Sequence, residues 1–351
     1  MIRDVDIADL ITTTLHKLGR GRFHQIAQQL TEYEVMSWLL KKNGEFGGVN
    51  VISDGLGIKE YLMVKYGDSF RWVGLFEKDN IDITDHLTEM KVEWCRGTDN
   101  MAWERREILE NRGESRLNNV IIPRRVAMML RVAQNLENAF FADPIPGESK
   151  IPWGLPYWIV KNSTTGFNGG VHPALAAAGV TTVGNVNPEQ YPTFKNYTDT
   201  YSAFTKEDLV RKLRKAHRKT AWKSPISLKE FRSVYGERRR LFVNEETISA
   251  LESIAESQND NLGIDLAPYD GETTFKRHPI RYVPKLDDDT SNPVYMIDLA
   301  TFMLFVLEGD YLRESDARVA PFQHNVFVVH VDLSYNTLCV NRRANAVLYQ
   351  A

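Results

Sequence analysis

Apolar side chains recur at helical spacing near the start of the chain, at Ile7, Leu10, Ile11, Leu15 and Leu18, and again at Phe23, Ile26, Leu30 and Tyr33. Gly19 and Gly21 separate the two runs. The pattern predicts an arm of one or two amphipathic helices within residues 1–43, whose apolar stripes need a partner surface. Over residues 44–97 the pattern turns β-like, with Gly47, Gly48, Gly55, Gly57, Gly67 and Gly74 punctuating aromatic and β-branched pieces. These pieces predict a long hairpin or ribbon that exposes Tyr61, Tyr66, Phe70, Trp72 and Phe76. A two-stranded hairpin alone is marginal in water, so the ribbon must lie against something.

Helical signals return in "NMAWERREILENRG", ended by Gly113, and in "NNVIIPRRVAMMLRVAQNLENAFFADP", where Pro123 suits a first turn or a kink. Val126, Met129, Leu130, Ala133, Leu136 and Phe140 share one face. A helix over 123–142 would run about 30 Å. Residues 144–204, rich in Pro, Gly, Asn, Thr and Tyr, predict ordered loops. Thr205 with Asp208 forms a capping-box-like start for "KEDLVRKLRKAHRKTAW", and Asn244 caps "EETISALESIAES", with Glu245 and Glu246 well placed for the helix dipole. After residue 272 the pattern reads as strands at 280–283, 294–297 and 302–307, then in "HNVFVVHVDLSYNTLCV" and "NAVLY". Phe327, Val329, Val331 and Leu333 fall on one face by period two, and Val326, Val328, His330 and Asp332 on the other.

Composition narrows the class. With 43% hydrophobic and 25% charged residues, the 351-residue chain can bury a sizeable core in one large or two joined domains. A net charge of -3 argues against a strongly basic nucleic-acid binder, so charge has to be read by segment. Cys95 and Cys339 stand alone, without metal-site spacing or a disulfide framework, which fits a reducing cytosol. The start "MIRDVDIADL" lacks the layout of a secretory signal, and no run of about 18 apolar residues occurs, so no membrane role is expected.

Catalytic motifs are missing from the pattern. The histidines are scattered, Gly55-Leu56-Gly57 lacks the third glycine of a dinucleotide loop, and neither a phosphate-binding P-loop nor a GxSxG elbow is present. The acidic groups Asp287, Asp288 and Asp289, and Asp260 with Asp265, lack calcium-loop spacing and read as solvated turns. No cofactor, metal or catalytic residue is assigned. The strongest electrostatic feature is "RKLRKAHRK", where Leu213 and Ala216 continue an apolar stripe and six Lys or Arg fill the other faces. It is either a phosphate-facing patch or a solvated helix back meeting acidic neighbours.

The order of elements over residues 20–351 resembles a tailed-phage major capsid protein of the Hong Kong 97 type. The match is carried by a strand ending in "HPIRYVP", a short acidic turn and "VYMIDLATFMLFVLEGDYLRE", preceded by "RLFVNEETISALESI", a strand whose terminal asparagine opens a helix. The resemblance implies an α+β fold with an N-terminal arm (1–43), an extended β-ribbon loop (44–97) lying across a neighbouring subunit, a peripheral domain with a long spine helix (98–145 and 308–351) and an axial domain (146–307). The strands within 280–307 would form the axial core and its return to the peripheral domain, and the hairpin near 311–350 would close the latter.

The implied function is a structural protein of the virion, made in the host cytoplasm, that assembles with itself as pentamers and hexamers into an icosahedral head. Possible partners are a scaffolding protein, a portal, decoration proteins and packaged double-stranded DNA contacted non-specifically. Tyr61, Tyr66, Phe70, Trp72 and Phe76 become candidate subunit-interface residues, and Arg211, Lys212, Lys215 and Lys219 candidate DNA-facing ones. The arm is short compared with relatives that carry a scaffolding segment, so scaffolding is either separate, which the initial Met favours, or lost with a trimmed precursor. Lys59, Lys65 and Lys78 are available for the lysine–asparagine crosslink of some relatives, but no Asn and Glu match, so no crosslink is assigned. The alternatives are an accessory head or decoration protein, and a hydrolase using carboxylates of 144–204 or 260–289.

Overall fold

The computed structural model describes residues 35, 37, 49–53, 55–64, 72, 74–75, 87–110, 114–220, 239–256, 273–276 and 278–351. Of the predicted arm, only Val35 and Ser37 are described, both helical; its two amphipathic runs lie outside the described residues. The strands in chain order are β1 (Val49–Ile52), β2 (Gly57–Met63), β3 (Leu87–Glu93), β4 (Cys95–Glu104), β5 (Gly166–Gly169), β6 (Asn196–Tyr201), β7 (Arg239–Val243) and β8 (Thr274–Phe275). They continue as β9 (His278–Tyr282), β10 (Val294–Asp298), β11 (Phe302–Leu307), β12 (Arg313–Glu314), β13 (Arg318–Ala320), β14 (Gln323–Cys339) and β15 (Ala346–Gln350). The main helices are α1 (Glu114–Phe141), α2 (Arg211–Thr220) and α3 (Glu245–Glu256).

The period-two stretch at 325–333 is the middle of β14, a strand of 17 residues around which a six-stranded sheet is built. Phe327, Val329, Val331 and Leu333 are buried, as the alternation requires. β4 runs antiparallel along Val326 to Tyr335, while β11, β12 and β13 pair with successive stretches of the same strand. Residues 100–104, expected to be helical, belong to β4. Met101 and Trp103 alternate inward against β14, and that pairing overrides the helix-favouring composition; a short helix, Arg105–Glu110, starts only afterwards. α1 begins at Glu114, so Pro123, expected in a first turn or at a kink, lies inside the helix, whose 28 residues span about 42 Å.

A second sheet of seven strands has the order β5-β6-β15-β10-β7-β9-β8. Its central strands read as nearly unbroken apolar runs because both faces are covered. Phe242, Tyr295, Ile297 and Val347 point into the core shared with α1. Leu241, Val243, Val294, Met296, Ala346 and Leu348 point the other way, under Leu213 and Ala216 of α2 and Leu251 of α3. Three strand pairings cross the segment limits read from the sequence. β15 lies between β6 and β10 in this sheet, not with β12 to β14, because Ala346, Val347 and Leu348 are buried on both faces. β11, grouped with 146–307, pairs with β14, and β1, grouped with the ribbon, pairs in parallel with β11.

The end of α1 bridges the sheets. Phe140 packs edge-to-face on Phe302 of β11 at 5.5 Å, and Phe141 on Phe242 of β7 at 5.5 Å. The next segment passes so close that a Cβ on Gly154 would sit 2.4 Å from the Phe140 carbonyl oxygen. Phe140→Ala is expected to cost about 3–5 kcal/mol in urea unfolding of the unassembled chain, whereas Leu130→Ala, on the exposed side of α1, should cost under about 1 kcal/mol.

Both predicted caps form. The Asn244 side-chain oxygen accepts from the Thr247 N–H at 3.2 Å and from its hydroxyl. Thr205 accepts from the Asp208 N–H at 3.2 Å, and one π-helical turn, Lys206–Val210, leads into α2. Asp208 does not reach back to Thr205; it accepts from the N–H groups of Ser202 at 2.7 Å and Ala203 at 3.1 Å and binds the Lys212 ammonium. Desolvation alone would raise this carboxyl, but Lys212 and the two N–H groups outweigh it and hold it far below the usual carboxylate range. A depressed acid contributes stability above its unfolded pKa and loses it as pH falls through the folded one. Asp208→Asn should therefore melt below wild type at neutral pH, and the gap should close progressively below about pH 4.

Candidate functional site

The β2–β3 hairpin pairs Gly57 with Glu93 through Met63 with Leu87 and has two unlike faces. Ile58, Leu62, Met90 and Val92 point inward and belong to the main core. Two bonds tie the hairpin to the rest of the chain, the Lys91 N–H to the Gly184 oxygen at 3.1 Å and the Thr193 hydroxyl to the Val64 oxygen at 3.3 Å, and Trp94 Nε1–H closes its base on the Gly55 oxygen at 3.0 Å. Gly184, at φ 55°, leaves no room for a side chain, since a Cβ would lie 2.9 Å from the Trp158 ring and 3.0 Å from Met90. The ribbon was expected to need something to lie against; for the inward face of β2 and β3 the chain itself supplies it.

The outward face carries Lys59, Tyr61, Met63, Leu87, Glu89 and Lys91. Lys59, one of the lysines considered for crosslinking, is paired with Glu89 at 2.8 Å. Tyr61 is 67% exposed, Met63 63% and Leu87 57%; Met63 and Leu87 face each other across the hairpin. Of the other predicted interface residues, Trp72 is 90% exposed, while Tyr66, Phe70 and Phe76 lie outside the described residues. Met63 and Leu87, apolar but not aromatic, join Tyr61 on this face through the register of the two strands.

Around α2 the predicted basic residues separate into two groups. Lys212 binds Asp208, and Lys215 lies 3.5 Å from the buried Asp199. Both lysines thus meet acidic neighbours of their own fold. Arg211 and Lys219 are exposed, as are Arg214 and Arg218, which the sequence reading did not single out.

The acidic turn serves structure. Asp287 accepts from the Glu245 N–H at 2.9 Å and the Tyr282 hydroxyl at 2.6 Å, Asp288 pairs with Lys285 at 2.6 Å, and Asp289 holds Lys161 and the Ser291 hydroxyl. In 144–204, Glu189 pairs with Lys195 at 2.7 Å, and Asp199 accepts from the Thr165 hydroxyl at 2.8 Å. Asp260 and Asp265 lie outside the described residues. Among the described residues no group of three His, Cys, Asp or Glu is placed to hold a metal, and no helix is long and apolar enough to cross a membrane. His278 is buried with Nε2 3.3 Å from His217 Nε2; His324 and His330 are exposed. Burial pushes the Cys95 thiol up to about 11 and that of Cys339 up to about 12, so neither is a ready nucleophile.

No protein-family model matches the sequence, and no curated protein matches it. Solved structures do match the fold. The Cyanophage A-1(L) capsid asymmetric unit superposes with a TM-score of 0.54 at 10% identity, covering 85% of this chain and 89% of the other. The capsid of a native GTA particle gives 0.54 at 11% identity, over 86% and 88%. The capsid of Myoviridae Phage XM1 gives 0.50 at 10% identity, over 91% and 92%. These superpositions extend over nearly the whole chain, and the protein has the fold of tailed-phage major capsid proteins.

Proposed function

We propose that the protein is a major capsid protein, a structural component of the virion that associates with copies of itself as pentamers and hexamers into an icosahedral shell around double-stranded DNA. The observation that carries this reading is the ribbon: one face is locked into its own core, and the other presents Tyr61 at 67% and Met63 at 63% exposure. An anchored hairpin whose outer face carries exposed apolar side chains beside an ion pair is suited to lying on a neighbouring subunit, as the sequence resemblance implied. A stable contact of standard size buries about 1,600 Å² in total, and many such contacts in a closed shell need not be individually strong. The six-stranded sheet with α1 would form the peripheral domain, and the seven-stranded sheet with α2 and α3 the axial domain. Scaffolding, whether a separate protein or a cleaved precursor segment, a portal and decoration proteins are candidate partners.

The test is a charge change on the outward face. Tyr61→Glu combined with Met63→Glu should leave the melting of the unassembled chain near wild type, since both side chains are exposed. It should abolish closed particles in electron micrographs when scaffold is supplied. Normal shells from this variant, or a wild-type chain that stays monomeric with scaffold at high concentration, would overturn the reading. A chain that binds only preformed shells would point to an accessory head protein.

A further inference from the structure

On α2, Arg214 and Arg218 stand one helical turn apart on one face, with His217 between them, and both are exposed. Facing them is the turn between β8 and β9. Its Phe275 ring lies 6.3 Å from the His217 ring, and the Lys276 ammonium sits 6.0 Å from the Phe275 centroid. Lys276 is exposed and holds φ at 52°, a left-handed position that glycine or asparagine would occupy more easily. Behind the two residues, Arg239 donates to the Thr220 carbonyl at 2.8 Å, closing the C-terminal end of α2. We propose that Arg214, Arg218 and Lys276 form a phosphate-binding cluster that takes the phosphodiester backbone of duplex DNA. The inference deepens the reading of the basic helix as DNA-facing, and rests on it, but moves the contact from Lys212 and Lys215 to a different face.

The electrostatics support the geometry. Burial first, then Lys276, Arg239, His278 and Arg218, lower the His217 imidazole to about 4. Burial and then Arg218 and Arg214 depress the Lys276 ammonium. The groups acting on these two residues are thus like charges and a second imidazole. On the adjoining helix α3, Glu252 is engaged by the Thr273 hydroxyl at 2.9 Å. Lys212 and Lys215, by contrast, are already neutralised by Asp208 and Asp199. A phosphate between the two arginines and Lys276 would relieve the repulsion, and guanidinium forks suit its oxygens. The contact reads charge and not base sequence.

The test uses unassembled full-length chain and a short fluorescently labelled duplex, titrated across a sodium chloride series. Arg214→Gln, Arg218→Gln and Lys276→Gln combined should weaken binding about tenfold or more at low salt and flatten the slope of log affinity against log salt by about 2–3. The control, Lys212→Gln with Lys215→Gln, should change both far less. Equal losses in the two variants, or an unchanged slope in the first, overturn the proposal. A second readout needs no variant: ring signals of His217 in histidine-labelled wild type should titrate at higher pH when the duplex is added. An unmoved His217 midpoint overturns the proposal, and a midpoint moved by inorganic phosphate but not by the duplex assigns the site to a free anion instead. Shell formation is scored separately by electron microscopy. Absent shells with intact duplex binding count against the capsid reading alone, and intact shells without duplex binding count against this cluster alone.

Discussion

The chain makes two short crossings between its two sheets, at 298–302 and at 339–346, and both carry backbone polar groups through the middle of the molecule. Buried donors and acceptors must be paired, so this junction constrains everything around it. Asn345 meets the demand from one side: its side-chain oxygen accepts from the Asp298 N–H at 2.7 Å, and its amide donates to the Thr301 hydroxyl at 3.1 Å and the Asn341 carbonyl at 3.0 Å. Arg342 meets it from the other, donating to the carbonyls of Trp158 at 2.6 Å, Gly169 at 3.1 Å and Gly170 at 2.7 Å and to the Asn196 side chain at 3.2 Å. Desolvation lowers its guanidinium to about 10, which leaves it charged at neutral pH, with the Phe194 ring 5.1 Å away. A buried cation held through its Nε and Nη2 by carbonyl dipoles stays bound only if those partners stay in place, which ties β6, β14 and β15 into one arrangement.

With that junction set, the apolar core completes the body. The paired phenylalanines at the end of α1 touch one strand of each sheet, so the long helix cannot shift against one sheet without shifting against the other. The ribbon then leaves a rigid platform. Its inner residues Ile58, Leu62, Met90 and Val92 share the core that contains Phe140 and Phe302. A surface presented this way is pre-organised, which lowers the ordering cost of binding a partner.

Charge follows the same logic of position. Along α2 the sequence alternates arginine and lysine without any evident division of labour. Two acids, Asp199 at the edge of buried β6 and Asp208 in the first turn, reach Lys215 and Lys212, and the arginines one or two positions away face elsewhere. Which cations remain available to a partner is decided by these two neighbours, not by the local count of basic residues.

Much was legible in the chain because it is a local property. The caps at Thr205 and Asn244, the strand 302–307, and the inward face of β14 at Phe327, Val329, Val331 and Leu333 follow from short-range hydrogen bonding and side-chain period. Of the candidate interface, Tyr61 and Trp72 were legible as exposed aromatics of a ribbon, while Met63 and Leu87 emerged with the pairing register. Nothing local could assign β1 to β11, β15 to the seven-stranded sheet, or residues 100–104 to a strand, because strand pairing joins residues far apart and a run such as "NAVLY" fits any doubly covered sheet. The same holds for charge: sequence determined that α2 is basic, and tertiary structure alone decided that Lys212 and Lys215 meet acids while Arg214 and Arg218 act on Lys276, since the partner acids and the β8–β9 turn come from separate elements of the fold.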